Sequence, residues 1–205
     1  MPSYARLQPR RLIRRAFGVA LLLVVTLAGM FAGCSTSDPK TYLSPEYDFS
    51  FQYPGNWRLL ELEPGDLPEG VSSSVGAWDP RGSGNEAELA LDFISVDVLE
   101  FGADSGVSAD TLQQEFARWL ADAGSSDSSF AVAEDPTPVT VGGLDGYQAT
   151  YTYADDGTEV RCTEYWLLTD DLMYDLYTSA SGDHWADNRA VFDAFLAGFK
   201  LGASN

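Results

Sequence analysis

Alternating hydrophobic and polar positions predict that much of the chain beyond residue 46 forms β-strands. The first such pattern spans residues 47–53, where every second side chain is aromatic, as expected of a strand with one buried face. Residues 54–56 favour a turn and residues 57–62 a returning strand. Residues 63–86 are rich in Pro, Gly, Ser and Asp, so we expect them to be irregular, with one short strand near Val75–Trp78.

The alternation changes phase between residues 89–93 and residues 94–98. Odd-numbered positions are apolar in the first segment, and even-numbered positions are apolar in the second. This change predicts either a β-bulge or a strand that is covered on both faces.

Two segments carry apolar residues at helical spacing. In the first, Ser108 is the predicted N-cap and Gly124 the predicted stop, and the apolar face comprises Leu112, Phe116, Trp119, Leu120 and Ala123. In the second, Asp183 is the predicted cap, and the apolar stripe comprises Val191, Phe192, Phe195 and Leu196. We interpret both stripes as parts of the core.

Between these helices the pattern predicts one edge strand and a meander. Residues 130–141 look extended but contain Pro136 and Pro138, which suits an edge strand. Three further strands, over residues 147–153, 159–168 and 172–179, are separated by short turn sequences, which predicts antiparallel neighbours. The predicted fold class is therefore α+β, an antiparallel β-sheet flanked by helices.

The N-terminal segment predicts export and lipid attachment. Five arginines and no acid precede an uncharged run of 18 residues, Ala16 to Gly33, and Cys34 follows directly. The run is short for a transmembrane helix, which needs about 20 apolar residues. Residues 31–34, Phe-Ala-Gly-Cys, resemble the lipobox of bacterial lipoproteins, although Leu is usual at the position of Phe31.

This resemblance implies that residues 1–33 are a signal peptide, that cleavage occurs between Gly33 and Cys34, and that Cys34 carries a diacylglycerol thioether. Two acyl chains hold a protein stably on a membrane. The alternative is an uncleaved signal-anchor helix, and both alternatives place the domain outside the cytoplasm. Arg14-Arg15 also resembles the twin-arginine export motif, so the twin-arginine and Sec routes both stay open.

Residues 34–45 are then predicted to be the lipidated cysteine and a tether, and residues 46–202 one globular domain. This domain resembles the PsbP-like superfamily in the segments Phe49-Ser-Phe-x-Tyr-Pro-x-x-Trp57, Gly143-x-x-Gly-Tyr147 and the final helix ending at Gly198-Phe199. The resemblance implies an α/β/α sandwich and a role in binding other proteins rather than in catalysis. No functional residue of that family can be matched position by position.

The net charge of the predicted mature chain limits the classes of molecule that it could bind. Without residues 1–33 the chain keeps seven basic and 31 acidic residues, a net charge of −24 compared with −19 for the whole chain. Such a surface repels nucleic acid, so we exclude a nucleic-acid partner. It could attract cations or a basic partner, but the acids are scattered, which favours a general role in keeping the surface hydrated.

Chemically reactive side chains are few. Cys162 is predicted to be a small buried hydrophobe, and His184, the only histidine, stands near a helix start where such residues are usually exposed and uninvolved in catalysis. Zinc sites built on several His or Cys are excluded, and the sequence has no phosphate-binding loop and no nucleophile elbow.

Asp155, Asp156 and Glu159, which surround Gly157, could hold calcium weakly, but a hairpin turn explains them as well. We therefore predict no catalytic residue, no metal site and no cofactor, and we do not expect an enzyme.

The sequence favours an extracytoplasmic lipoprotein that touches the membrane through Cys34 and acts as a protein-binding or assembly accessory module of the cell envelope. The expected partner is another envelope protein. The alternative is a solute- or cation-binding lipoprotein, suggested by the acidic surface and by the many tyrosines of the closing strands, which could line a cleft.

Overall fold

The computed structural model describes residues 38–81, 91–100 and 107–202. In these ranges the chain forms ten strands and two helices. The strands are β1 (Lys40–Leu43), β2 (Phe49–Tyr53), β3 (Arg58–Glu61), β4 (Ser73–Trp78), β5 (Phe93–Glu100), β6 (Ala131–Val141), β7 (Leu144–Asp155), β8 (Thr158–Leu168), β9 (Leu172–Ser181) and β10 (Lys200–Leu201). The helices are α1 (Leu112–Ser126) and α2 (Trp185–Gly198). Neither helix is long and apolar enough to cross a membrane.

Seven strands form the main sheet, in the order β3-β4-β5-β9-β8-β7-β6, with every neighbouring pair antiparallel. The predicted meander is confirmed in β7 to β9. Gly142-Gly143 and Asp156-Gly157 form two-residue turns with positive φ at both positions, which matches the right-handed twist of the flanking strands. The edge position predicted for the proline-containing strand is also confirmed, because β6 is the last strand of the sheet and has two register irregularities.

A second, three-stranded sheet has the order β1-β2-β10. Lys40–Leu43 pair with β2 along their whole length, so this part of the predicted tether belongs to the folded domain. Lys200–Leu201 pair with the other side of β2. The sequence predicts neither strand, because both are short and form only through pairing with β2.

The main sheet is covered on both faces. On one face, which we call the α2 face, side chains including Val96 of β5 and Leu176 of β9 pack with α2 and the small sheet. On the opposite face, which we call the α1 face, Leu99 of β5 and Tyr177 of β9 pack with α1. β5 pairs with both neighbours without a register shift, so its change of phase reflects burial on both sides. The prediction of an antiparallel sheet flanked by helices is therefore confirmed.

The predicted helix boundaries are partly wrong. α1 begins at Leu112, after a turn in which Thr111 hydrogen-bonds Ser108, and neither helix has a side-chain cap. α1 continues through Gly124 to Ser126, since one glycine in a helix interior costs only about 1 kcal/mol. α2 begins at Trp185, so His184, and not Asp183, holds the capping position.

Candidate binding groove

Three threonines form a polar row across the α2 face of the main sheet. Thr150 on β7 is opposite Thr163 on β8, which is opposite Thr178 on β9, and all three are between 1 and 8% exposed. The hydroxyl oxygens of Thr150 and Thr163 are 3.1 Å apart, and the Thr178 hydroxyl donates to the Thr163 carbonyl oxygen at 3.2 Å. The row is thus internally hydrogen-bonded and can lie under a cavity at little cost.

A groove lies above this row, between α2, which packs chiefly on β9 and β2, and the outer strands β6 to β8. One cavity of about 160 Å³ lies over the threonines, and a second of about 580 Å³ extends toward the C-terminal end of α2. The two cavities share Gln148, Tyr165 and Leu196. We call the combined space the outer groove.

The outer groove concentrates positive charge in a strongly acidic domain. Of the seven basic residues beyond position 33, Arg161, Arg189 and Lys200 line it, together with the acids Glu134 and Asp193. Arg189 Nε donates to Asp193 Oδ1 at 3.2 Å on the exposed side of α2. The lining therefore carries a formal charge of +1, whereas the chain from residue 34 onward carries −24.

Arg161 is the most constrained of these cations. Its Cζ lies 5.0 Å from the ring centroid of Trp185, a cation–π arrangement. Its Nη2 lies 3.9 Å from Glu134 Oε1, which is an ion pair without a hydrogen bond. Its Nε is buried and has no acceptor among the described residues. The guanidinium is thus oriented by its neighbours while at least one donor is unused.

Tyr165 lines both cavities, and its hydroxyl is protonated. Burial raises the pKa of Tyr165 to about 12, with smaller opposing effects from Arg189, which lowers it, and from Asp193 and Glu134, which raise it. The phenol therefore remains a hydrogen-bond donor at any physiological pH.

His184 is exposed, as its position suggested, and it pairs with a buried carboxylate. Its Nδ1 lies 2.9 Å from Oδ2 of Asp92, which is buried. The hydrogen bond to Asp92 and the charge of that carboxylate raise the pKa of His184. In the described part of the chain, no hydroxyl or thiol hydrogen-bonds to His184, so this pair has no nucleophile beside it.

Cys162 is buried in β8, as predicted, with Sγ 3.0 Å from the Tyr177 hydroxyl oxygen. Two positions along, Glu164 is buried on the same face and accepts hydrogen bonds from the Tyr151 hydroxyl at 2.7 Å and from Trp166 Nε1 at 2.9 Å. Tyr151 and Tyr177 thus belong to the core under α1, and not to a cleft.

The acids near Gly157 lie at the β7–β8 hairpin, where Asp156 and Gly157 are the turn residues. Among the described residues there is no group of three or more His, Cys, Asp or Glu side chains placed to hold a metal ion. The predicted cleavage and lipid sites, Gly33 and Cys34, lie outside the described residues.

Another cavity, of about 840 Å³, lies near the start of α1 and includes Leu112 and Tyr147. Its lining begins with Val107, which follows a segment outside the described ranges in the sequence, so we assign it no role.

Apart from Tyr165, one of the tyrosines that the sequence suggested for a cleft, the residues of the outer groove were not predicted. Thr150, Arg161 and Thr163 occupy the polar phase of alternating strands, and such positions usually face solvent. The only sequence signal was the presence of polar residues at matching positions in three consecutive strands. The pairing register was needed to align them.

Comparison with solved structures supports the predicted fold. The cyanobacterial PsbP protein CyanoP from Synechocystis sp. PCC 6803 is similar over 84% of this chain and 98% of its own, with 18% identity and a TM-score of 0.55. LpqN from Mycobacterium tuberculosis, described as involved in cell envelope biogenesis, is similar over 82% of this chain and 86% of its own, with 15% identity and a TM-score of 0.48. The first of these likenesses establishes a PsbP-like fold and nothing about activity.

None of the curated proteins matches the sequence. Residues 91–201, more than half of the chain, match the family described as the serine/threonine kinase C-terminal domain. The matched range begins just before β5 and ends with β10, so it contains α2 and the strands β6 to β8 that form the outer groove. The chain therefore belongs to the serine/threonine kinase C-terminal domain family.

Proposed function

We propose that this chain is a non-catalytic binding module, held outside the cytoplasm by lipid on Cys34, that binds another protein of the cell envelope through the outer groove. The observation that carries the proposal is the placement of three of the seven basic residues beyond position 33 along one groove of an acidic domain. Charges of opposite sign to the rest of a surface favour recognition of a particular partner.

The structural arrangement supports binding rather than chemistry. The polar floor is already hydrogen-bonded within itself, and the walls offer Tyr165, Trp185 and Leu196, which are the amphipathic and apolar side chains that interfaces use. Helix and sheet layers on both faces of the main sheet also suit the α/β/α arrangement of PsbP-like domains.

The lipid anchor completes the proposal. Removal of residues 1–33 as a signal peptide would leave lipid-modified Cys34 as the first residue, six residues before β1. A domain held so close to a bilayer meets membrane-bound partners at a much higher effective concentration than a freely diffusing one.

Two matched arginines test the proposal. Arg189 on α2 and Arg118 on α1 are both exposed, and each pairs with a carboxylate about one turn away, but only Arg189 lines the groove. We expect Arg189→Glu to lose a stoichiometric partner that is captured from solubilised membranes by the wild-type chain, and we expect Arg118→Glu to keep it. Equal capture by both variants, or no stoichiometric partner for the wild type, would exclude the proposal.

The second candidate is a solute- or cation-binding lipoprotein. The cavity of about 160 Å³ over the threonines is large enough for a small solute, and the 31 acids provide cation ligands. Calorimetry with calcium and with common envelope solutes separates the two candidates, because only the second predicts a stoichiometric heat at micromolar affinity.

A further inference from the structure

Arg161 has N–H donors without an acceptor among the described residues, and these donors favour an anionic ligand in the outer groove. A guanidinium carries five N–H donors in one plane, and these donors fit the two oxygens of a carboxylate side by side. The Nε donor of Arg161 is buried, but its side chain is 39% exposed, and the terminal Nη2 lies 3.9 Å from Glu134, too far for a hydrogen bond. A planar anion in the groove would meet the terminal amino end of this guanidinium.

The residues around Arg161 orient its guanidinium for binding such an anion. Trp185 lies against its guanidinium with 5.0 Å between Cζ and the ring centroid, which leaves the edge of the plane for hydrogen bonding. Tyr165 lines the same cavity with a protonated hydroxyl, and Leu196 provides an apolar surface shared with the second cavity. A ligand that has a charged group next to an apolar group fits this combination of side chains.

Two observations favour an extended ligand with isolated charges. The groove continues from Arg161 for another 580 Å³ to Lys200, so one small molecule would leave most of it empty. The groove lining has a charge of only +1 within a strongly acidic domain, so a doubly charged phosphate meets more repulsion than a single carboxylate.

We propose that Arg161 binds a side-chain carboxylate of a protein segment lying in the outer groove, with the apolar neighbour of that carboxylate packed on Leu196. This inference rests on the proposed function and names the chemistry that its partner must carry.

Glu134 is the internal competitor of such a ligand. It stands on the edge strand β6 with its side chain 61% exposed, and its Oε2 lies 3.4 Å from the Thr150 hydroxyl. A carboxylate that can approach Arg161 from within the same chain lowers the affinity for an external one. Its removal should therefore strengthen binding.

The test uses the chain from residue 34 onward together with the intact full-length chain, and two blocked peptides as probes. One peptide has a single glutamate next to a leucine, and the other has glutamine in place of the glutamate. Titration is followed by the amide and arginine Nε–H signals in nuclear magnetic resonance spectra. We expect the glutamate peptide to bind the wild type roughly tenfold or more tightly than the glutamine peptide, since hydrogen bonds to ionised groups are the stronger ones.

Three substitutions sharpen this test. Arg161→Gln should remove the preference for the glutamate peptide, Arg161→Lys should keep only part of it because the planar fork is lost, and Glu134→Gln should increase the affinity. Arg118→Gln on α1 is the matched control and should change nothing. Thermal unfolding of each variant shows whether Arg161→Gln is folded, and the lysine variant gives the answer if it is not.

Equal affinity of the wild type for the two peptides would overturn the inference, as would an unchanged preference in Arg161→Gln. Phenylacetate, with phenylacetamide as its neutral control, tests for a free carboxylate as the source. If phenylacetate binds as tightly as the glutamate peptide, the assignment to a protein segment is wrong. The proposed function is tested independently of this inference, because partner capture by Arg189→Glu and Arg118→Glu is measured without these peptides.

Discussion

Nδ1 of His184 lies 2.9 Å from Oδ2 of Asp92, and this contact joins the residue before α2 to the residue before β5. Asp92 is only 3% exposed, and its second oxygen also accepts a hydrogen bond from the backbone N–H of Ser181, at 3.3 Å. The pair therefore ties the start of α2 to two central strands of the main sheet, and its strength depends on the charge of the imidazole.

We predict that this pair makes stability depend on pH. The hydrogen bond to Asp92 and its charge raise the pKa of His184 above the ordinary value of 6.5. The protonated form is thus favoured by folding, so the contribution is fully present below about pH 6.5 and is lost as the pH rises through the folded-state pKa. Because the imidazole is half exposed, we expect less than about 1 kcal/mol.

The measurement is urea unfolding of the wild type and of His184→Gln at pH 6 and at pH 9. The wild type should exceed the variant in free energy of unfolding by more at pH 6 than at pH 9. A difference that is the same at both pH values would show that the ion pair contributes nothing.

A second prediction concerns the contact between α2 and the small sheet. A Cβ atom added at Gly198 would lie 2.9 Å from Cβ of Gln52 on β2, closer than real Cβ contacts, and 3.0 Å from its backbone N, which is tighter than most of them. Gly198→Ala should therefore push α2 away from β2 and lower the free energy of unfolding by about 1–3 kcal/mol.

Gly124→Ala is the matched control for that substitution. Gly124 also lies inside a helix, but its added Cβ would meet only Phe130 Cδ1 at 3.6 Å, an ordinary contact. Its replacement should raise stability by up to about 1 kcal/mol, as alanine is the better helix former. If the two variants change stability in the same direction, close approach at Gly198 is not what matters.

Elements whose own residues carry a periodic pattern could be predicted from the sequence. The alternation of Phe49, Phe51 and Tyr53 predicted β2. The phase change between residues 89–93 and 94–98 predicted either a bulge or burial on both faces, and the structure shows burial on both faces. β1 and β10 could not be predicted, because four and two residues carry no periodic signal and their strand conformation comes from pairing with β2.

The outer groove could not be predicted for a related reason. Its floor is a row of side chains from three strands, so it exists only in the pairing register of Thr150, Thr163 and Thr178. The buried position of Glu164 could have been recognised from the sequence. It is the one charged residue among the alternate positions of β8 that include Val160, Cys162 and Trp166 and face the core. A charge in that phase indicates a buried hydrogen-bonded carboxylate.

A third prediction tests this carboxylate. Burial raises the pKa of Tyr151, whose phenol therefore stays protonated and donates to Glu164 at 2.7 Å. Tyr151→Phe should leave one buried oxygen of Glu164 without that donor and lower the free energy of unfolding by about 1–3 kcal/mol.

Tyr147→Phe is the control for this loss of a hydroxyl. Tyr147 packs against the same core from the same strand, and in the described part of the chain its hydroxyl has no hydrogen-bond partner. Its replacement should change the free energy of unfolding by less than about 0.5 kcal/mol, as at ordinary surface sites. Equal losses for the two variants would show that the bond to Glu164 is not stabilising.

A fourth prediction concerns the anchor and uses the chain's two cysteines. In the full-length chain, Cys34→Ser should remove the lipid and prevent cleavage before residue 34, because no thiol is left to carry the thioether. Cys162→Ser, a change at a fully buried position of β8, should leave the lipid in place. Mass spectrometry of the membrane-extracted protein checks both masses. An unmodified thiol at position 34, with the preceding segment still attached, would contradict the prediction.

The central claim, that a partner protein lies in the outer groove, is tested most directly by site-specific photo-crosslinking in intact membranes. A photoreactive residue is placed in the full-length chain either at Gln148, which lines both cavities of the groove, or at Leu59 on the opposite edge of the main sheet, where the side chain is also accessible. We predict one dominant protein adduct from position 148 and none of that adduct from position 59. The absence of an adduct from position 148, or the same adduct from both positions, would contradict the account.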